Sequence, residues 1–125
     1  MTLDKLGDVT YIALETFRKN GEGVVTPLWV IGKAGKLYAW TDGESWKVKR
    51  IRNNNQVKVC ESDARGNPKS EWLDAEATIL DDAQTEAEIQ QQIRAKYGIQ
   101  FWLISVINKF TKRGGTRRVV IEMGV

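Results

Sequence analysis

Short runs rich in β-branched and aromatic residues, several with a period of two, dominate the first part of the chain and predict β-strands. Residues 9–17, VTYIALETF, predict the first strand, and residues 24–32, VVTPLWVIG, predict the second. The turn RKNGEG between them contains an Asn-Gly pair, which is typical of a tight antiparallel hairpin. Pro27 lies inside the second run and has no backbone N–H, so it favours an edge or a bulge at this point.

Four further strands are predicted downstream. They are LYAWT at 37–41, QVKVCE at 56–61, KSEWLDAEATIL at 69–80 and TRRVVIEM at 116–123. Six mostly antiparallel strands with helices inserted between some of them favour a mainly β fold, a small six-stranded barrel, over a doubly wound sheet. A length of 125 residues suits one domain, which we assign to residues 1–125.

Three helices are predicted between these strands. The first follows the third strand, where Thr41, Asp42 and Ser45 are all suitable N-caps and where Val48 and Ile51 give one apolar side. The second is DDAQTEAEIQQQIRAKYG at 81–98, which has acidic residues at its start and a glycine at its end. The third, IQFWLISVINKF at 99–110, is apolar on almost every side and is therefore expected to be buried.

The composition excludes several kinds of chemistry. The chain has no histidine and a single cysteine, Cys60, which excludes internal disulfides, zinc sites of the Cys/His type and histidine-based catalytic triads. We expect Cys60 to be a small buried residue of its strand. An enzyme with this composition would depend on a cofactor that carries the reactive chemistry. The chain lacks a secretion signal and any apolar run of about 18 residues, so we expect a cytoplasmic protein with no membrane segment.

The stretch TDGESWKVKRIRNNNQV at 41–57 is the strongest candidate for a binding site. A formal charge of +3 and a pI near 9.1 allow a modest attraction to phosphate groups. Ser45 and Lys47 would add a hydroxyl and an ammonium to the positive end of the short helix, whereas a solvated basic helix is the alternative. Of the five tryptophans, Trp29 and Trp46 are placed to line a flat aromatic ligand, while Trp72 and Trp102 are expected to pack in the core or at an interface.

Three stretches together resemble the flavin split-barrel superfamily, which includes pyridoxamine 5′-phosphate oxidase. They are LETFRKNGEGVVTPLWV, KLYAWTDGESWKVKRIRNNNQVKV and the loop DARGNP, and the likeness is strongest to the short PPOX-class oxidoreductases that use coenzyme F420. The resemblance implies a six-stranded split barrel that forms a homodimer, with FMN or F420 in the groove between the subunits. It also implies an oxidoreductase that transfers hydride between this cofactor and a small organic substrate.

The same resemblance implies which residues hold the cofactor. In the family pattern a Thr, a Ser four residues later and a Lys two beyond hold the phosphate, and these are Thr41, Ser45 and Lys47 here. Lys49 and Arg50 follow and would make further contacts with the anionic group of the cofactor. A second group would line the ring of the cofactor: Val25, Thr26, Pro27, Leu28 and Trp29 from the second strand, and Trp46.

Two departures from the family pattern argue against a true pyridoxamine phosphate oxidase. Trp46 stands where those enzymes commonly have a basic residue, and a chain without histidine cannot contain their Arg-x-His pattern. The proton for a reaction would come from solvent, Tyr11 or Arg18. Two alternatives remain open: a protein that holds flavin, haem or another tetrapyrrole without turnover, and, less well supported, a basic barrel that binds nucleic acid.

Overall fold

Seven antiparallel strands form a single sheet in the computed structural model, which describes residues 2–98 and 118–125. The strands are β1 (Tyr11–Phe17), β2 (Gly23–Leu28), β3 (Ile31–Lys33), β4 (Lys36–Asp42), β5 (Gln56–Ser62), β6 (Leu73–Leu80) and β7 (Arg118–Gly124). The helices in the same ranges are α1 (Leu3–Leu6), α2 (Trp46–Asn53) and α3 (Ala83–Tyr97). The helix predicted at 99–110 and the first two residues of the predicted sixth strand lie outside the described residues.

The strands pair in the order β2-β1-β5-β6-β7-β4-β3, and this order forces the sheet to curl. β2 and β3 lie at opposite ends of the sheet, yet only Trp29 and Val30 separate them along the chain. Two linking residues span about 11 Å at most, since consecutive Cα atoms are 3.8 Å apart. The two ends of the sheet must therefore lie close together, and the fold is the mainly β split barrel that the sequence predicted.

The strand count differs from the six that the sequence predicted. The predicted strand at 24–32 is two strands, because the chain leaves one end of the sheet after Leu28 and joins the other end at Ile31. Val30, between them, is fully buried, and its N–H donates to the hydroxyl of Tyr97 at 2.9 Å. A contact with α3 thus satisfies the backbone where the strand is interrupted.

The short helix α2 lies against β1 and β6. Of the three N-caps that the sequence allowed, Ser45 occupies the N-cap position, and Val48 and Ile51 are buried as predicted. The hairpin of β1 and β2 also has the predicted antiparallel form, with Ala13 opposite Pro27. Cys60, on β5 opposite Ala13, is fully buried, and burial raises the pKa of its thiol.

Lys96 and Tyr97, at the end of α3, stabilise the closed barrel through hydrogen bonds to backbone oxygens. Lys96 Nζ donates to three backbone oxygens, those of Gly7 at 2.9 Å, Val9 at 2.7 Å and Val30 at 2.6 Å. The Tyr97 hydroxyl donates to Thr10 O at 2.7 Å, and burial raises the pKa of this phenol to about 12. These bonds tie the segment before β1 to the link between β2 and β3. No helix in the described ranges combines the length and the apolar character needed to cross a membrane.

Candidate functional site

A cavity of about 770 Å³ lies between the β1–β2 hairpin and α2. Its size falls within the range of about 300–1,000 Å³ that is usual for cofactor and small-molecule sites. The described residues that line it are Phe17, Arg18, Lys19, Val24, Thr26, Trp46, Lys47, Lys49, Arg50 and Asn53. Two separate parts of the sequence, about 20 residues apart, therefore form one site.

The charge of this cavity is strongly positive. Five of the ten lining residues are Lys or Arg and none is Asp or Glu. Arg18 is paired with Glu22 at 3.0 Å, whereas Lys47 makes no ion pair within the described ranges. Burial lowers the pKa of Lys47, and the nearby Arg50 lowers it further, although Asp42 opposes the shift. An anion bound here would relieve the repulsion between the cations, so the cavity favours an anionic ligand.

Two buried hydroxyls, one in the cavity lining and one on the residue that precedes the lining residue Trp46, have no hydrogen-bond partner among the described residues. They are Thr26 Oγ1, on the wall formed by β2, and Ser45 Oγ, immediately before Trp46. A buried hydroxyl without a partner costs free energy, which a ligand that bonds to it would recover. Ser45 is the N-cap of α2, yet its side chain makes no capping bond, which leaves the oxygen available.

The start of α2 adds backbone donors near the same place. The first helical bond at this end runs from Lys49 N–H to Ser45 O at 3.3 Å, so the N–H groups of the three preceding residues have no partner inside the helix. The turn before the helix is fixed because Asp42 Oδ1 accepts from Glu44 N–H at 2.8 Å. Donors and partial positive charge at a helix start suit a phosphate group.

An apolar part of the cavity wall accompanies the cations. Phe17 and Val24 come from the hairpin, and Trp46 comes from α2. The side chain of Trp46 is 71% exposed, and Lys49 Nζ lies 4.6 Å from the centroid of its ring. A ligand with a flat apolar portion and an anionic end fits this combination, and the unpartnered hydroxyls fit polar atoms between the two.

Arg50 reaches the cavity from a fixed position. Its Nε donates to Thr16 Oγ1 at 2.6 Å, and Thr16 is fully buried on β1. Burial and the neighbouring Arg18 lower the pKa of the Arg50 guanidinium. Sequence reasoning did not identify Thr16, because nothing local connects a strand residue with a helix residue 34 positions later.

The structure brings part of the predicted site together. Five predicted residues line the cavity, namely Thr26, Trp46, Lys47, Lys49 and Arg50, and Ser45 adjoins them. Sequence reasoning missed Phe17, Lys19, Val24 and Asn53, and it considered Arg18 only as a proton source. The period of two in β2, with Val24 and Thr26 on one face, was the signal that could have found the hairpin side of the cavity.

Other predicted residues lie elsewhere. Val25 and Pro27 are exposed on the opposite face of β2, and Leu28 packs against the core. The ring of Trp29 is stacked on Tyr97, with centroids 4.3 Å apart. Thr41 is buried on β4 opposite Val119. Tyr11 is not among the residues that line the cavity.

Comparison with known proteins gives a fold but no sequence family. No protein-family model and no curated protein matches the sequence. Among solved structures, an F420 reductase is 17% identical, with a TM-score of 0.62 over 99% of this chain and 93% of that one. A pyridoxamine 5′-phosphate oxidase-related, FMN-binding protein from Nostoc punctiforme is 15% identical, with a TM-score of 0.57 over 92% and 70%.

A third similar structure is that of HutZ, the haem storage protein of Vibrio cholerae. It is 12% identical, with a TM-score of 0.66 over 99% of this chain and 90% of that one. The chain therefore has the split-barrel fold of the pyridoxamine 5′-phosphate oxidase-like proteins, and the resemblance noted in the sequence is confirmed at the level of the fold. At these identities, function has to be argued from the site itself.

Proposed function

We propose that the protein binds a flavin-type cofactor, FMN or F420, in the cavity between the β1–β2 hairpin and α2. The observation that carries this proposal is the cationic lining, which contains no Asp or Glu among the described residues, together with two buried hydroxyls that have no described partner: Thr26 Oγ1 in the lining and Ser45 Oγ on the residue before Trp46. Ser45, Lys47 and Arg50, with the start of α2, would hold the phosphate. Thr26 would bond to a polar atom of the ring system, and Phe17 and Trp46 would contact its apolar surface.

The activity that we propose is that of an oxidoreductase. The bound cofactor would supply hydride transfer to or from a small organic substrate. The chain would bind and orient the cofactor and exclude water. The described lining contains no Asp, Glu, His, Cys or Tyr that could act as a general acid or base. A proton would then come from solvent or from a lysine of the lining, because the Arg18 guanidinium stays charged and is already paired with Glu22.

We also propose that a second copy of the chain covers the open side of the site. Trp46, which lines the cavity, is 71% exposed. Large exposed apolar side chains close to a site are common where another protein surface contacts it. Light scattering should give the mass of a homodimer, and a monomer at micromolar concentration would contradict this arrangement.

Replacing one lysine tests the cofactor site. We expect Lys47→Gln to weaken FMN binding about tenfold to a hundredfold, because a charge-assisted contact with the phosphate is lost. The affinity for riboflavin, which has no phosphate, should not change. Arg52→Gln is the matched control, since Arg52 is exposed on the same helix and does not line the cavity. Titration calorimetry measures the affinities of the wild type, Lys47→Gln and Arg52→Gln for FMN, F420 and riboflavin.

Two outcomes would contradict the proposed site. One is a wild-type protein that binds neither FMN nor F420 at micromolar concentration. The other is equal FMN binding by the wild type and Lys47→Gln. An affinity for single-stranded nucleic acid that falls steeply with salt would instead support the nucleic-acid alternative.

A cofactor-holding protein without turnover is the second candidate function. The described lining offers lysines but no Asp, Glu, His, Cys or Tyr for proton transfer, which suits a holding protein as well as it suits cofactor-borne chemistry. The two candidates differ in one experiment, in which the bound cofactor is reduced and mixed with a panel of organic acceptors. Reoxidation that is faster than that of the free cofactor supports the oxidoreductase, and equal rates support storage.

A further inference from the structure

We propose that Thr16 is a positioning residue that fixes Arg50, so that the terminal nitrogens of Arg50 recognise the phosphate end of the ligand. This inference rests on the proposed function, which it deepens by assigning the preference for a phosphorylated cofactor. It concerns a buried hydroxyl on β1 that the cofactor itself would not need to touch.

Thr16 is held rigidly beneath the cavity. It is fully buried near the end of β1, and the register pairs it with Val24 on β2, while Leu14 is paired with Thr26. Directly opposed residues of antiparallel strands lie on the same face of the sheet, so Thr16 shares a face with Val24 and Thr26. Val24 and Thr26 both line the cavity. The Thr16 hydroxyl is therefore a fixed point on the face that bears the site.

Arg50 uses this fixed point with one nitrogen only. Its Nε donates to Thr16 Oγ1 at 2.6 Å. Arg50 makes no other side-chain hydrogen bond and no ion pair within residues 2–98 and 118–125. A guanidinium has five N–H donors in a rigid planar fork, so four remain on the two terminal nitrogens. Those four can bind two oxygens of one phosphate side by side, which a lysine cannot do.

The two other cations that α2 contributes to the lining, Lys47 and Lys49, lack such an anchor among the described residues. Lys47 lies one turn before Arg50 on α2 and makes no side-chain hydrogen bond to a described residue, and Lys49 lies over the exposed ring of Trp46. Each must lose rotamer freedom when a ligand binds, whereas Arg50 is already ordered. Arg50 is thus the group whose contribution depends on its orientation, and the orientation depends on Thr16.

The test combines two substitutions of Thr16 with one of Arg50. Thr16→Val keeps the shape and removes the acceptor, while Thr16→Ser keeps the hydroxyl. We expect Thr16→Val to weaken FMN binding about tenfold and to leave riboflavin binding unchanged, and Thr16→Ser to bind FMN nearly as the wild type does. In an Arg50→Lys background, Thr16→Val should have little further effect on FMN affinity, because the Nε donor is already absent. Thermal unfolding of each variant identifies any loss of folded protein.

A second readout works without any ligand. The Nε–H of Arg50 should give a slowly exchanging signal in the nitrogen-correlated NMR spectrum of the free protein, and Thr16→Val should make its exchange fast. If the wild type binds no flavin but the exchange of its Arg50 Nε–H becomes fast in Thr16→Val, the proposed function is overturned and the anchoring of Arg50 by Thr16 is supported. If FMN binds and folded Thr16→Val retains full affinity, or if Thr16→Val weakens riboflavin as much as FMN, the inference is overturned.

Discussion

Ser45 and Asp82 occupy the same kind of position with different consequences. Both are N-caps with extended backbone, at the starts of α2 and α3. Asp82 Oδ2 accepts from Thr85 N–H at 3.0 Å, and this bond lowers the pKa of the carboxyl, whereas Ser45 Oγ makes no capping bond. Ser45 therefore adds little to the stability of its helix, and a contact with a ligand would explain a buried hydroxyl there.

We expect substitution of the two caps to separate these roles. Ser45→Ala should change the free energy of unfolding of the cofactor-free protein by less than about 0.5 kcal/mol, since no capping bond is lost. It should also reduce the rise in melting temperature that FMN causes. Asp82→Ala should lower the melting temperature of the free protein and leave the FMN-induced rise unchanged. Differential scanning fluorimetry measures both quantities, and a large loss of stability in free Ser45→Ala would argue for a purely structural role.

At the scale of elements, α3 closes the barrel through its last turn. Lys96 satisfies three backbone oxygens that belong to two separate segments, and the ring of Tyr97 covers Trp29 in the link between β2 and β3. β2 forms one wall of the cavity, so the last turn of α3 supports the site from a distance. The last turn thus adds this closure to the core contacts that Ile89 and Ile93 make earlier in the helix.

Removal of the Lys96 ammonium should weaken this closure. We expect Lys96→Met to lower the free energy of unfolding by about 1–3 kcal/mol, because carbonyl oxygens lose their partner. Lys69→Met is a suitable control, since the one ion pair of the exposed Lys69 ammonium with a described residue is that with Glu61, at 3.9 Å. Urea unfolding compares the two variants, and hydrogen exchange at the Val30 amide should become faster in Lys96→Met alone. Equal effects of the two substitutions would contradict the role of Lys96.

At the scale of the whole molecule, two phenols link stability to alkaline pH. Burial, followed by the hydrogen bond to Glu122 at 2.9 Å, raises the pKa of Tyr38 to about 12, and burial raises that of Tyr97 to about 12. Below pH 10 both phenols stay protonated in the folded and unfolded chains. Between pH 10 and 12 the unfolded chain releases these protons while the folded chain retains them, so stability falls as the pH rises.

We therefore expect the free energy of unfolding to decrease across pH 10 to 12. Tyr38→Phe should make this decrease shallower, because one of the two shifted phenols is removed, and Tyr38→Phe/Tyr97→Phe should make it shallower still. The comparison uses slopes against pH, which remain informative if the substitutions also change the stability at neutral pH. An identical slope in the wild type and Tyr38→Phe would contradict the assignment of the shift to Tyr38.

Local signals account for what the sequence predicted well. The hairpin, the helix with Val48 and Ile51 on its buried side, and the start and end of α3 depend on neighbouring residues. The division of the predicted second strand depends on α3 contacting Val30, which is 67 positions away from Tyr97. The predicted fifth strand at 69–80 is likewise shorter, since β6 begins only at Leu73, and α1 was not predicted.

The candidate site divides along the same line. Its α2 half was predicted because Ser45, Trp46, Lys47, Lys49 and Arg50 form one contiguous motif. The hairpin half depends on the register of β1 and β2 and on the packing of α2 over it, which no local pattern encodes. Trp29 illustrates the limit, since its sequence position favoured a ligand contact and its partner is Tyr97, distant in the sequence.

The place of β7 between β6 and β4 has a consequence for the order of folding. β4 pairs with β7 along six residues, from Leu37 opposite Met123 to Asp42 opposite Arg118. During synthesis, the ribosome therefore completes β4, β5, β6 and α3 before the strand that joins the two parts of the sheet exists. Because β3 pairs with the opposite edge of β4, the edge of β4 that receives β7 stays unpaired throughout this interval, and β7 must be synthesised before the sheet can be completed.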